Sequence, residues 1–414
     1  MTNNNRDVDV VLFGASGFLG GLVAQYLAES APPGLRVGLA GRSIERLQAV
    51  RGQLGAAAAT WPLIAADVTD PPSLAALARA TRVIATTVGP YRPHGLALVE
   101  ACTAVGTHYA DVTGEVLFIR DSIDRYHDRA TRAGTRIVHC CGVDSIPSDL
   151  AVLVLHQAAL ADGAGDLEDV TLVVTRWKGH LGGGTLVPIE GILDEVKASE
   201  RSRRLIEDPY ALSPERSAEP DLGDERDLSW IKHDDDLGIW VGPFVMAGVN
   251  TRIVRRSNAL SNWAYGPKFR YREVSGYGSD LLAPVQAAAA TTAMMGLVAG
   301  VTFPPSRGLL HRVLPAPGEG PSEKARRAGS FRMELHARTS LGARYIGEVD
   351  VAGDPGFAAT SVMLGESALC LAMDGDRLPP AAGVLTPATA LGPALVDRVR
   401  AAGITLTTRR IIPH

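Results

Sequence analysis

The stretch Val8-Asp9-Val10-Val11-Leu12-Phe13-Gly14-Ala15-Ser16-Gly17-Phe18-Leu19-Gly20 decides the fold. Val8, Val10, Val11, Leu12 and Phe13 make a short apolar run, the mark of a fully buried strand. Glycines follow at once with GxxGxxG spacing, and Leu22, Val23, Tyr26 and Leu27 then recur at helical spacing. Strand, glycine turn and helix in that order predict the phosphate-cradling half of a dinucleotide-binding unit. Gly14 permits the tight turn, Gly17 lets backbone approach a pyrophosphate, and Gly20 lets helix pack closely on strand. The helix N-terminus offers N–H groups to the anion. Gly14, Ala15, Ser16, Gly17, Phe18, Leu19 and Gly20 are the first candidate cofactor residues. A purely structural turn is the competing reading.

A second apolar run, residues 36–40, ends at Gly41-Arg42-Ser43. An NAD site usually places a carboxylate here to hold the ribose 2′-hydroxyl, and this chain has none at that point. The planar fork of Arg42 suits a 2′-phosphate, and Ser43 can add a hydroxyl. Arg46 follows one helical turn on. The expected cofactor is NADPH. The alternatives are a solvated Arg42 at a helix start, or an NAD site without its acid.

With 414 residues the chain can hold two domains with sizeable cores. Its net charge of −4 gives no bulk attraction to nucleic acid, and no such partner is expected. Cys102, Cys140, Cys141 and Cys370 lack metal-ligand spacing, so no metal is expected. No basic segment with an apolar core opens the chain, which predicts a cytoplasmic location.

Strand and helix patterns alternate through the first 150 residues, with further strands at 63–67, 83–88, 109–111 and 136–140. This rhythm predicts an α/β fold, a Rossmann-type doubly wound parallel sheet over 1–150. After Asp149 the rhythm changes. Strands are expected at 170–177, 241–254 and 269–274, a charged helix at 190–205, and a long surface excursion over 207–238. Residues 303–330 read as a proline-rich loop, 331–351 as alternating strands, and 358–373 as a helix. Thr386 and Pro387 suit the N-cap and first position of a last helix, and 404–408 reads as a closing strand. Residues 151–352 are expected to form an inserted α+β substrate or dimerisation domain. Residues 353–414 are expected to return to the first domain.

The segments GASGFLG, AGRS, TTVGPYRPHG, HYADVTGE, CCGVDSIPSDL and GVLTPATALG together resemble the saccharopine dehydrogenase-like oxidoreductases. Within that family WPLIAAD, NTRIVRRSNAL, WAYGPKFRY and GARY are most similar to the trans-acting enoyl reductases of mycobacterial-type lipid biosynthesis. The resemblance covers nearly the whole chain. It implies a Rossmann domain, an inserted α+β domain and C-terminal elements that return to the first. It also implies that the loop Val88-Gly89-Pro90-Tyr91 runs beside the nicotinamide ribose, and that residues 109–115 border the active crevice.

Strand ends should line the cofactor crevice. Asp67 and Val68 stand where adenine usually lies, although Asp67 could simply cap a turn. Tyr91 could donate a proton or wall the pocket. Asp111 and Glu115 could face the crevice, or cap the helix leading to Arg120. Ser145, Pro147 and Asp149 suit a helix start, which leaves Asp144 unexplained and a candidate for the nicotinamide side. His139 reads as a satisfied core histidine. Tyr91, Asp111 and Asp144 are thus the catalytic candidates. Gly184 and Thr185 could bring backbone N–H groups to a substrate carbonyl, or form a flexible turn. Arg252, Arg255 and Arg256 could receive a phosphopantetheine phosphate or an acidic carrier, or lie on a solvated strand face.

Residues 281–306 carry no charge. They fit a core or dimer-interface helix, a lipid-pocket wall or peripheral membrane contact, or a bilayer span. The expected activity is NADPH-dependent reduction of an α,β-unsaturated acyl thioester, presented by a polyketide synthase or carrier protein. No YxxxK set of the short-chain dehydrogenase kind is visible. The alternatives are a saccharopine-type C=N reductase or amino-acid dehydrogenase, with Arg176, Arg252 and Arg255 as carboxylate holders, and a non-catalytic lipid-associated protein that retains the cofactor fold.

Overall fold

The computed structural model describes residues 6–179, 183–303, 305–307 and 318–412. They divide into two compact units. The first comprises 1–146, 318–320 and 356–403; the second comprises 147–317, 321–355 and 404–414.

The first unit is built on a seven-stranded sheet. Its strands are β1 (Val8–Phe13), β2 (Val37–Gly41), β3 (Leu63–Ala65), β4 (Thr81–Thr86), β5 (His108–Asp111), β6 (Arg136–Val138) and, from far downstream, β13 (Gly383–Leu385). The order is β13-β6-β5-β4-β1-β2-β3, and every pairing is parallel. All six residues of β1 are buried, as strands covered on both faces require. The order reverses between β1 and β4. That is the switch point, where a crevice opens at the carboxyl ends of the strands. Val384 and Leu385, expected with Thr386 and Pro387 to open the last helix, instead belong to β13 and complete the sheet. Thr386 then caps the next helix, with its side chain accepting from the Thr389 N–H and Pro387 at the first position.

The second unit holds a mixed seven-stranded sheet of β7 (Leu167–Lys178), β8 (Lys232–Asp234), β9 (Ile239–Pro243), β10 (Arg270–Gly278), β11 (Ser330–Thr339), β12 (Arg344–Ala352) and β14 (Thr405–Ile411). Its order is β14-β12-β11-β7-β10-β9-β8, with only β7 and β10 parallel. The closing strand therefore pairs with β12 in this unit, rather than returning to the first with 356–403.

Three expectations are corrected here. Residues 241–254 are not one strand: β9 ends at Pro243 and a helix runs Ala247–Leu260. The charged helix breaks at Ser199, which caps a second helix, Glu200–Glu207, by accepting from the Ser202 N–H. Residues 207–238 are not wholly superficial, since Tyr210 and Leu212 are buried.

The apolar stretch forms helix Ala283–Thr302. It is not a core helix: Leu281, Leu282, Val285, Met295, Val298 and Phe303 are exposed. It reaches spanning length and hydropathy by composition alone.

Candidate cofactor and active site

Gly14 adopts a left-handed φ of 95°, which a side chain would disfavour. Its N–H donates to the Ala40 carbonyl, and its own carbonyl accepts from the Gly17 N–H at 3.0 Å. A Cβ on Gly14 would lie 2.8 Å from Thr87 Oγ1 and Val88 Cγ2. The loop after β4 therefore presses directly on the glycine turn. The Thr87 N–H also donates to Phe13 O, and its hydroxyl donates to Gly14 O. Gly17 is the N-cap of helix Phe18–Ser30 and brings no side chain to occupy the helix end. Ala15 is buried, Ser16 and Gly17 are exposed, and Phe18 and Leu19 are half-buried. Phe18 packs edge-on against Phe357 at 5.0 Å.

The end of β2 lies beside this turn. Arg42 is exposed, and Ser43 accepts from the Arg46 N–H and donates to Glu45. Ser43 is thus a helix cap first. Asp67 accepts from the N–H and hydroxyl of Thr69, both at 2.8 Å, so it caps its own turn. These bonds, with Arg42 nearby, hold its carboxyl below the usual range. Val68 and Val88 are half-buried in a cleft that His94 also lines; His94 was not singled out in the sequence.

These residues fit a dinucleotide carrying a 2′-phosphate. Gly20 stands where any Cβ would enter the turn, the helix end is uncapped by side chains, and an exposed guanidinium waits at the end of β2. The turn would hold the pyrophosphate and Arg42 the 2′-phosphate.

Deeper in the crevice Tyr91 is 6% exposed, with its hydroxyl donating to Thr86 O at 3.1 Å and accepting from Val112 N–H at 3.4 Å. It walls the crevice; burial and the charge of Asp111 push its hydroxyl far above its ordinary value. Glu115 does cap a helix, but the one beginning at Tyr91. Its carboxylate accepts from the N–H groups of Tyr91 and Arg92 at 2.8 and 2.9 Å.

Asp111 is wholly buried. It accepts from the Tyr109 hydroxyl and from the N–H groups of Thr113 and Cys140. His139 Nδ1 lies 2.7 Å from its Oδ2, and His139 Nε2 lies 2.8 Å from Ser122 Oγ. Such a fully occupied carboxylate cannot act on a substrate, so Asp111 is corrected from a catalytic to a structural position. His139 is the satisfied core histidine its setting suggests.

Asp144 is different. It is half-buried at the end of the turn after β6, and its carboxyl bonds to its own N–H. Burial, with a contribution from Asp111, pushes this carboxyl up to about 7. Its Oδ2 folds over Gly142, where a Cβ would lie 2.9 Å away. Gly142 is also closed in by Thr360 and Val112, and the Thr360 hydroxyl accepts from the Val143 N–H. Thr360 is 217 residues from Val143, and no local pattern could have found it.

The proposed substrate residues fare less well. Arg252 lies on a buried helix, not a strand, and donates to Asp227 and the Ile206 carbonyl. Arg255 donates to the carbonyls of Pro209, Glu225 and Tyr271, and Arg256 to that of Leu212. The trio fastens the 206–227 segment and is not an exposed basic cluster. Gly184 and Thr185 fall in the first turn of helix Gly183–Ala198, not in a loop; their side chains, and all of Gly182, lie outside the described residues. Among the described residues no cluster suits a metal ion.

Residues 10–138 match the saccharopine dehydrogenase NADP-binding domain. A putative trans-acting enoyl reductase of Mycobacterium tuberculosis is 49% identical over 99% of this chain and 100% of its own. The chain belongs to the trans-acting enoyl reductase family. A trans-acting enoyl reductase of Mycobacterium ulcerans is 45% identical over the same shares. Among solved structures, yeast saccharopine dehydrogenase (L-Glu forming) shares the fold. Its TM-score is 0.53 at 14% identity, covering 98% of this chain and all of that one. The protein is thus an NADP-dependent oxidoreductase with a saccharopine dehydrogenase-type NADP-binding domain, and NADPH is its cofactor.

Proposed function

We propose that this trans-acting enoyl reductase saturates an α,β-unsaturated acyl thioester presented by a separate synthase or its carrier protein, with Asp144 as proton donor. When bound, NADPH supplies the hydride that adds to the β-carbon. The glycine turn holds the pyrophosphate and Arg42 the 2′-phosphate, and the Thr87–Tyr91 segment walls the crevice. Asp144 delivers the proton that the α-carbon needs to complete the reduction. A carboxyl near 7 is half protonated at neutral pH, which suits a general acid.

The single observation that carries this reading is Asp144 itself. It is a half-buried acid in the turn that follows the carboxyl end of β6, its carboxyl bonded to its own N–H, in a chain of enoyl reductase lineage. The C=N reductase alternative needs uncommitted arginines. Arg176 is paired with Asp350, and Arg252 and Arg255 are buried and bonded, which favours the acyl substrate. The test is NADPH oxidation by the purified protein with an enoyl-CoA thioester. Asp144→Asn should lower kcat with little change in KM for NADPH; a wild-type kcat in that variant removes the donor assignment.

The exposed, uncharged helix Ala283–Thr302 supports an association site on an apolar surface, either a lipid bilayer or a second copy. Flotation with phospholipid vesicles reports the first, and sedimentation of the protein alone reports the second.

A further inference from the structure

Ser122, His139 and Asp111 have the connectivity of a Ser-His-Asp triad, with contacts of 2.8 and 2.7 Å. All three residues are 0% exposed, so no substrate reaches the hydroxyl and nucleophilic chemistry is excluded. What the chain does reach is backbone. Asp111 Oδ1 accepts from the Cys140 N–H at 3.2 Å, and Asp111 O accepts from the Cys141 N–H at 2.6 Å.

Cys140 has a φ of 61°. A residue other than glycine holds this conformation only where its surroundings enforce it. Here the enforcing partner is Asp111. Two bonds from that one residue pin the left-handed step, and the Thr360 hydroxyl pins Val143 beyond it. Between these anchors the turn runs Cys140-Cys141-Gly142-Val143 and delivers Asp144.

We infer that Ser122, His139 and Asp111 are positioning residues for Asp144, a buried relay that sets the turn carrying the proton donor. This rests on the donor assignment above. The Asp111 carboxylate accepts, so His139 Nδ1 donates to it, and His139 Nε2 lies within hydrogen-bond distance of the Ser122 hydroxyl. Ser122 thereby fixes the imidazole, the imidazole fixes the carboxylate, and the carboxylate fixes Cys140. A metal-ligating histidine is oriented by its outer partners in the same way. Among the described residues, the titratable groups facing Asp144 are Asp111 from β5, Tyr91 from its helix and Cys140 from the turn itself. None of them is a cation. Asp111 therefore acts on Asp144 through charge as well as through the backbone.

Two readouts test the relay in the full-length protein. Carbon-13 carboxyl NMR, with the Asp144 signal identified by its loss in Asp144→Asn, follows that group's titration without any substrate. Replacing Asp111 with Asn removes the neighbouring negative charge and should lower the Asp144 midpoint by about one unit; an unmoved midpoint overturns the inference. Steady-state kinetics then compare Ser122→Ala in two backgrounds. In the wild-type background it should lower kcat about tenfold with KM for NADPH unchanged, and in Asp144→Asn it should cost nothing further. An equal loss in both backgrounds, or none in the first, assigns the relay to stability alone and overturns its positioning role. Failure of the donor assignment is read separately, from Asp144→Asn alone.

Discussion

Gly20 and Gly14 are in such close register that a Cβ on Gly20 would lie 2.0 Å from the Gly14 carbonyl oxygen. Backbone cannot yield there without opening the turn. Gly20→Ala should therefore weaken NADPH binding more than about tenfold and cost on the order of 1–3 kcal/mol of stability. At Gly17 the nearest atom to a Cβ is 3.4 Å away, so Gly17→Ala should unfold near the wild-type temperature. Cofactor fluorescence and thermal unfolding of the two variants separate steric closure from simple loss of flexibility.

Arg42 is expected to read the 2′-phosphate. Arg42→Ala should raise the dissociation constant for NADPH by about 10- to 100-fold, the scale of one lost charge-assisted bond pair. NADH binding should barely change. Equal losses for both nucleotides would show that Arg42 does not distinguish them.

The Glu115 carboxylate is the cap of the helix that starts at Tyr91. Glu115→Ala removes both of its bonds to backbone N–H groups and should cost about 1–2 kcal/mol in urea unfolding. Glu115→Gln retains an acceptor oxygen and should cost less.

Glu273 gives the second unit a defined pH response. It is buried, accepts from Asn250 and the Tyr271 hydroxyl, and burial pushes its carboxyl up to about 7 from 4.5. Below about 4.5 both folded and unfolded chains hold the proton. Between 4.5 and 7 only the unfolded chain releases it, so stability falls as pH rises. Above 7 the loss is complete. Glu273→Gln should flatten this slope and narrow the difference in melting temperature between pH 5 and pH 8. Asp144 contributes a slope of the same sign.

Arg255 joins three carbonyls, those of Pro209, Glu225 and Tyr271. Arg255→Met should cost about 2–4 kcal/mol by leaving buried acceptors unmatched. The 206–227 segment should then become the first site cut in limited proteolysis. Unchanged cleavage would show that Arg252 and Arg256 hold it alone.

The first unit was largely legible because its strands are apolar runs punctuated by glycine, and because each strand end carries its own short motif. Asp144 stood out because helix capping explained its neighbours but not it. The second unit was harder. Val241, Val249, Ile253 and Val254 satisfy a strand pattern when the arginines between them are read as solvated. Those arginines are instead buried by carbonyls from residues 206–225, partners that leave no local trace. The roles of Asp111 and Glu115 escaped for a related reason. Both carboxylates are occupied by groups on other elements, and a sequence shows which acids exist but not which donors surround them. Residues 383–385 were missed as a strand because three residues are too few to establish a period.

The chain passes from one unit to the other repeatedly, and its last eleven residues, 404–414, belong to the second although they follow directly on 356–403 of the first. Neither unit is therefore a separable cassette. A fragment stopping near residue 146 lacks the β13 edge and helix Thr360–Met373, including the hydroxyl that anchors Val143. A deletion from residue 404 strips an edge strand from the other sheet. Exchange of acyl specificity between members of this family would have to be engineered by grafting side chains in place, because no single pair of splice points carries either half away whole.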